Sequence, residues 1–313
     1  MNKISVIGAG NVGATVANVL AQKDLAREVV LLDIKEGVAE GKALDIWQTS
    51  SILNFNTRVR GYTNDYLKTK GSGVIVITSG IPRKPGMSRD DLIKTNASIV
   101  KEVVERAIRY SPDAIILVVS NPLDVMTYVA YKAANKDSRK VFGMAGILDT
   151  GRYKAFIAEA LDISPKDVHA LLMGSHGDSM VPLRRYTSVG GIPVTELMNK
   201  EELDKIIERT RKGGGELVNL MGTSAWYAPG AAVAEMVEAI VDDQRRVFPV
   251  CAYLNGEYGH KNIYLGVPVK LGKNGIEEII QLDLNKNEMK MVEESANSVK
   301  EVIAVLDDMK LFE

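Results

Sequence analysis

Short apolar runs rich in β-branched residues alternate with helix-patterned stretches through the first half of this chain, at residues 4–7, 29–32, 74–77, 115–119 and 141–142. Each is too short for a buried helix, and unbroken apolarity marks a strand covered on both faces. Between the third and fourth runs, Ile99, Val100, Val103, Val104, Ala107 and Ile108 repeat at helical spacing and form one apolar face. The stretch 110–113, with Pro112 in it, stops that helix. Strand, helix and strand in series predict an α/β fold: a doubly wound parallel sheet with right-handed crossovers.

The pattern changes near residue 145, beyond which no regular βαβ series continues. Leu203, Ile206 and Ile207 share a helical face, and that helix is expected to end at Lys212, before Gly213, Gly214 and Gly215. A helix over 231–240 follows, then strand-like pieces with glycine turns over 247–269, then a charged amphipathic helix from about 288 to 309. This second part is α+β in character, so two domains are expected, residues 1–145 and 146–313.

Composition removes several classes of function. Lys plus Arg number 39 and Asp plus Glu 40, a net charge of −1, without the basic excess of a general nucleic-acid binder. The single cysteine, Cys251, can form neither an intrachain disulfide nor a thiolate metal cluster. No apolar run approaches the roughly 18 residues of a membrane span, and the first residues lack the long apolar region of a signal peptide. The expectation is a cytoplasmic protein with no nucleic-acid or membrane partner and no metal site.

The most specific local motif follows the first strand directly. Gly8, Ala9, Gly10, Asn11, Val12 and Gly13 form a GxGxxG that opens a helix over Asn11–Gln22. Gly8 allows the tight turn, Gly10 lets backbone approach a pyrophosphate, and Gly13 lets helix and strand pack closely. The helix N-terminus offers free N–H groups and partial positive charge to phosphates. Asp33 ends the second strand 20 residues after Gly13, where an acidic side chain binds a ribose 2′-hydroxyl and repels a 2′-phosphate. The first part therefore reads as a Rossmann-type domain that takes NAD rather than NADP. No GxxxxGK[ST] loop is present, which argues against that class of ATPase or kinase.

The later strand ends supply further polar groups. Thr78, Ser79 and Gly80 close the third run; Ser120, Asn121 and Pro122 close the fourth, and both should border the ligand. Pro122 suits the first turn of the next helix, and Asn121 taken alone reads equally as a cap. Residues 81–89 carry Pro82, Pro85 and Gly86 with Arg83, Lys84 and Arg89, which makes a loop suited to a lid or, on composition alone, a solvated basic loop. Of the three histidines, His169, His176 and His260, only His176 lies between nearby glycines, Gly174 and Gly177, just after an apolar run. Histidine exchanges protons near neutral pH. A lone histidine is usually structural; the company of Asp149, Arg152 and the loop arginines is what singles His176 out.

These ordered motifs resemble the lactate/malate dehydrogenase family over essentially the whole chain, and most closely its lactate-dehydrogenase-like malate dehydrogenases. The markers are residues 8–13, Asp33, 82–89, 120–122, 149–152, 174–178 with 180–182, and 266–272. The resemblance implies that His176 is the proton acceptor and donor, and that Asp149 holds its imidazole and stabilises the charged form. Arg152 would grip the substrate's C1 carboxylate with a two-pronged pair. Arg89 would polarise the reacting carbonyl, and Asn121 would bond near the substrate oxygen and the nicotinamide. Asn96, the Val119 backbone and Ser120 would contact NAD together with residues 8–13 and Asp33. A cis Asn121–Pro122 bond is implied as well. Arg83 would pair with a second carboxylate, favouring malate over lactate, where relatives carry a neutral glutamine.

The resemblance also implies a homotetramer, with a dimer as second choice, and a place in the tricarboxylic acid cycle that the residues do not separate from a fermentative one. The second domain would then bind substrate and carry the catalytic groups. Gly151 stands where alanine is common and Ser175 where glycine is common; neither change removes a functional group. His169, His260 and Cys251 read as structural, Trp47 and Trp226 as packing or interface residues, and Arg184 with Arg185 as a solvated or subunit-contact face. The alternatives are a lactate or other 2-hydroxyacid dehydrogenase, a noncatalytic NAD-sensing protein on the same fold, and an NAD-dependent glycosidase, which would need a metal site.

Overall fold

A computed structural model describes residues 1–82, 88–307, 309, 311 and 312. Six strands of the first half lie parallel: β1 (Lys3–Ile7), β2 (Glu28–Asp33), β3 (Arg58–Thr63), β4 (Val74–Ile77), β5 (Ile115–Val118) and β6 (Val141–Gly143). Their order is β3-β2-β1-β4-β5-β6, so the winding reverses between β1 and β4. That reversal opens a crevice at the carboxyl ends of the strands, where ligands of such sheets bind. Alternate strand residues serve opposite faces: Val74 and Val76 pack into one apolar cluster, Ile75 and Ile77 into the other. Unbroken apolar runs follow from this double coverage.

Helices α1 (Asn11–Gln22), α2 (Val38–Gln48), α3 (Ser50–Leu53), α4 (Arg89–Ile108), α5 (Leu123–Ala134) and α6 (Gly146–Leu161) connect these strands and leave the sheet. Strand β3 has no counterpart among the apolar runs. Only Val59 of its first three residues is buried, between exposed Arg58 and Arg60, because β3 is an edge strand with β2 as its one neighbour. Helix α4 starts earlier than its apolar face shows. Ser88 Oγ accepts the Asp91 N–H at 3.0 Å, and the Asp91 carboxylate accepts the Ser88 N–H at 3.2 Å, a reciprocal cap that starts the helix at Arg89. Arg89, expected on the loop, is therefore the first helical residue. Pro122 caps α5 from outside rather than entering its first turn.

The second half begins with short strands β7 (Val168–His169), β8 (Leu172–Met173), β9 (Val181–Pro182), β10 (Ser188–Val189) and β11 (Ile192–Pro193). Helices α7 (Val194–Leu197), α8 (Lys200–Met221) and α9 (Tyr227–Val241) follow. Strands β12 (Arg246–Asn255), β13 (Lys261–Gly272) and β14 (Gly275–Ile279) are antiparallel, and α10 (Lys286–Asp307) comes last. Strand β12 pairs with β6 at Cys251 and Gly143, so these three strands extend the parallel sheet to nine strands across residue 145. Helix α8 does not end before its three glycines. Its N-terminus is capped by Asn199, and it runs through Gly213–Gly215 to Gly222, whose φ of 71° closes it. Each interior glycine costs about 1 kcal/mol of helix propensity. Burial of Leu203, Ile206 and Ile207 and contact with α6 outweigh that cost. No described helix is long and apolar enough to cross a membrane.

Candidate active site

The turn after β1 is closed by backbone. Gly8, at φ 109°, donates to the Leu32 carbonyl at 2.8 Å. A Cβ on Gly13 would run into the Gly8 carbonyl oxygen, so helix and turn approach as only glycine allows. A Cβ on Gly10 would meet no protein atom within 4 Å, which leaves open space over the turn. No side chain caps the N-terminus of α1, and its first turn holds no acidic residue. The first-turn N–H groups thus remain available to an anion.

Asp33 closes the other side of this turn. Its carboxylate accepts the Ala9 N–H at 2.6 Å and the Lys35 N–H at 2.9 Å. A carboxylate has about four acceptor sites, so two such bonds leave room for ribose hydroxyls. An uncapped helix start, an open Gly10 and an acidic group at the end of β2 fit a dinucleotide without a 2′-phosphate. Ser120 Oγ donates to the Ser79 carbonyl at 2.5 Å and ties β5 to the end of β4. Asn96 is 2% exposed. Its side chain accepts the Ile81 N–H at 2.8 Å and donates to the carbonyls of Ile81 at 3.2 Å and Asn121 at 2.9 Å. Asn96 is therefore a strut between two strand-end segments.

The proposed proton-transfer group sits across the crevice. His176 follows β8 on a loop tied down at four points. Gly174 and Gly266 exchange backbone hydrogen bonds at 2.8 and 3.0 Å, which fastens the loop to β13. A Cβ on Gly266 would collide with the Gly174 carbonyl. Ser175 N–H donates to Ser295 Oγ of α10 at 2.7 Å, and His176 N–H to Asp124 Oδ2 of α5 at 3.1 Å. The fourth tie is the ring itself: His176 Nδ1 lies 2.8 Å from Asp149 Oδ2 on α6. Asp149 is 1% exposed at its side chain and also accepts from Arg152 Nη1 at 3.3 Å.

A cavity of about 320 Å³ joins these groups. His176, Arg152 and Asn121 line it with Val12 and Val119, so it reaches the dinucleotide side. The Asn121–Pro122 bond is cis. Burial works against the His176 imidazolium, but the Asp149 charge and hydrogen bond, with Asp124 behind, outweigh it and hold its pKa above the ordinary value. With Nδ1 given to Asp149, Nε2 is the nitrogen left to take or return a proton. Arg152 Nε is buried with no hydrogen-bond partner among the described residues, an unmet donor in the cavity that His176 also lines. An anionic substrate would satisfy it.

Not every expected residue enters this picture. Arg83 lies outside the described residues. Arg89 is described, exposed at the start of α4, and does not line the cavity. Sequence reading passed over Asp124, two residues after the 120–122 motif, and Arg211, which lines the cavity with a buried Nε that has no partner among the described residues. It also took Gly213–Gly215 for a helix end. Gly214 and Gly215 line the cavity, and a Cβ on Gly213 would come within 3.3 Å of Arg152 Cδ.

Comparison with known proteins gives matches over the whole chain. Residues 2–143 match the family model for the lactate/malate dehydrogenase NAD binding domain, and residues 147–309 that for the lactate/malate dehydrogenase alpha/beta C-terminal domain. Malate dehydrogenase from Cytophaga hutchinsonii is 62% identical over 307 residues, 98% of each chain. The solved malate dehydrogenase from Salinibacter ruber superposes with a TM-score of 0.95 at 54% identity, covering 98% of both chains. Lactate dehydrogenase from Cryptosporidium parvum, solved with lactic acid and nicotinamide adenine dinucleotide, gives 0.93 at 40% identity, again over 98% of both chains.

Proposed function

The chain belongs to the lactate/malate dehydrogenase family and is an NAD-dependent malate dehydrogenase; from that premise we propose how its residues divide the work. Residues 8–13 and Asp33 would hold NAD, which would supply the hydride acceptor for C2 of malate. His176 takes the C2 hydroxyl proton at Nε2 and returns it when oxaloacetate is reduced. Asp149 keeps the ring in one tautomer and balances the imidazolium. Arg152 pairs its guanidinium with the C1 carboxylate, and Asn121 orients the reacting oxygen. Arg89, which stands at the start of α4 outside the cavity lining, would have to reach over it to polarise that oxygen, and Arg83 would pair with the second carboxylate. Residues 8–13 hold the pyrophosphate and Asp33 the adenosine ribose. Asn96, Ser120 and the Val119 backbone would contact the cofactor, and Asn96 also braces Asn121 through its carbonyl. The observation that carries this reading is the 2.8 Å His176–Asp149 contact beside Arg152, in a cavity that also borders Val12.

The substrate assignment is tested by Arg83→Gln. An unpaired charge in a closed site costs about 3–5 kcal/mol, or roughly 10²- to 10³-fold in preference. The variant should lose oxaloacetate reduction and gain pyruvate reduction by that order; an unchanged preference contradicts the role.

The same reading carries a homo-oligomer, a tetramer before a dimer, in the cytoplasm and serving the tricarboxylic acid cycle. Exposed apolar residues support association. Leu44, Ile52 and Leu53 stand out on α2 and α3, and Leu220 and Tyr227 on the last turn of α8 and the first of α9. A largely apolar cavity of about 550 Å³, lined by Phe156, Leu217 and Leu220, opens beside the latter pair. Light scattering at working concentration should give a tetramer or dimer mass; a monomer contradicts the proposal.

A further inference from the structure

We infer that Asp124 is a positioning residue for His176, holding the backbone of its loop and adding a second negative charge behind the imidazole. The inference rests on His176 as the proton-transfer group. Asp124 lies in the first turn of α5, three residues after Asn121, and is 5% exposed. Its Oδ2 accepts the His176 N–H at 3.1 Å, and its Oδ1 accepts the Cys251 S–H at 3.2 Å. One carboxylate thus joins α5, the 174–178 loop and β12, at the point where β12 meets β6.

A buried carboxylate is costly unless a charge or strong donors face it. Among the described residues Asp124 is bonded to a peptide N–H and a thiol, with no arginine or lysine. The start of α5 favours the carboxylate through the helix dipole. Among the described residues, the cationic state that acts on it is the His176 imidazolium. The arrangement therefore gains most when His176 holds its proton, the state that reduces oxaloacetate.

Burial pushes the Asp124 pKa up to about 6, against the Cys251 and His176 bonds and the His176 charge. Asp124 and His176 then titrate as a pair rather than as independent groups. The other groups facing them are few. Asp149 and Arg152 on α6 act on the ring with opposite signs. Arg211 on α8 and Asp178 on the same loop line the cavity. The Cys251 thiol is held neutral, first by burial and then by the Asp124 charge.

The test is the His176 ring pKa, measured by NMR titration of the full chain and assigned as the signal missing in His176→Asn. Asp124→Asn removes the charge but keeps the shape, because the amide oxygen can still accept the His176 N–H. The ring value should fall by about one unit, and the acid limb of kcat/KM for malate should move down with it. Cys251→Ala takes one donor from the carboxylate and should lower the ring value by a smaller amount. An unmoved ring value in Asp124→Asn overturns the inference, since a purely structural tie changes melting temperature and not this titration. Should that variant not fold, an unmoved value in Cys251→Ala overturns it. A ring value that falls while the rate profile stays put upholds Asp124 and removes His176 from its catalytic role.

Discussion

At the turn after β1, the groups that shape the site come from residues 8–13 and from Asp33 on the neighbouring strand. The His176 loop, by contrast, is fixed by Asp124, Asp149, Gly266 and Ser295, from four elements spread across the sequence. The first region needs mainly backbone amides and empty space, which a glycine turn and a helix start supply locally. The second must hold one ring to within a fraction of an ångström, and a loop of glycines and small residues cannot do that alone. Position of the His176 ring is a tertiary property, and the shape of the glycine turn is largely a local one.

This contrast predicts that damage at one end spares the other. His176→Asn should lower kcat by about 10²- to 10⁴-fold, the usual worth of a positioned acid–base group. NADH affinity, followed by fluorescence titration, should stay within a factor of two or so of the parent, since the ring's hydrogen bond goes to Asp149 on α6 and not to the phosphate turn. A variant that loses NADH binding as well would erase the separation. The same group sets the pH dependence. On the proposed role, malate oxidation needs neutral His176, so its rate should fall as pH drops through a pKa above the ordinary 6.5. Oxaloacetate reduction needs the imidazolium and should fall as pH rises through the value in the reduced-cofactor complex. A kcat/KM profile for malate with its acid limb well below 6.5 would contradict the Asp149 pairing.

Asp33→Ala is the converse experiment. Loss of a charged acceptor costs about 1.5–3 kcal/mol, or roughly 10- to 100-fold in NADH affinity. The preference for NAD over NADP should narrow, and kcat at saturating cofactor should change little. An unaltered Kd would place the ribose elsewhere. The smallest effect is expected from Gly266→Ala, which pushes a methyl group into the Gly174 carbonyl. Overpacking costs about 1–3 kcal/mol of stability, and displacement of the His176 loop should lower kcat by roughly tenfold. Unchanged kcat at lowered melting temperature would show that the β13 tie serves stability alone.

The parts of the molecule that could be read from sequence follow the same division. The parallel strands were visible because helices cover both faces and force unbroken apolar runs, whereas β3, at the edge, leaves its arginines in solvent. The glycine turn over residues 8–13 and the placement of Asp33 beside it were legible because they are set locally. His176, Asp149 and Arg152 gained weight only together, through a family resemblance. Asp124 stayed hidden, since an acidic residue in a first helical turn has an ordinary explanation in the helix dipole. Its contact with His176 spans 52 positions. The three glycines of α8 misled for a physical reason. Low helix propensity usually marks an end, but here the missing side chains leave room for Arg152 and the cavity.

The most direct measurement is NADH oxidation at neutral pH with oxaloacetate and pyruvate run in parallel on the same preparation. The account predicts fast turnover of oxaloacetate, with pyruvate slower by two orders of magnitude or more, on the order of the cost of an unpaired charge in the closed site. Equal or greater activity with pyruvate would contradict it.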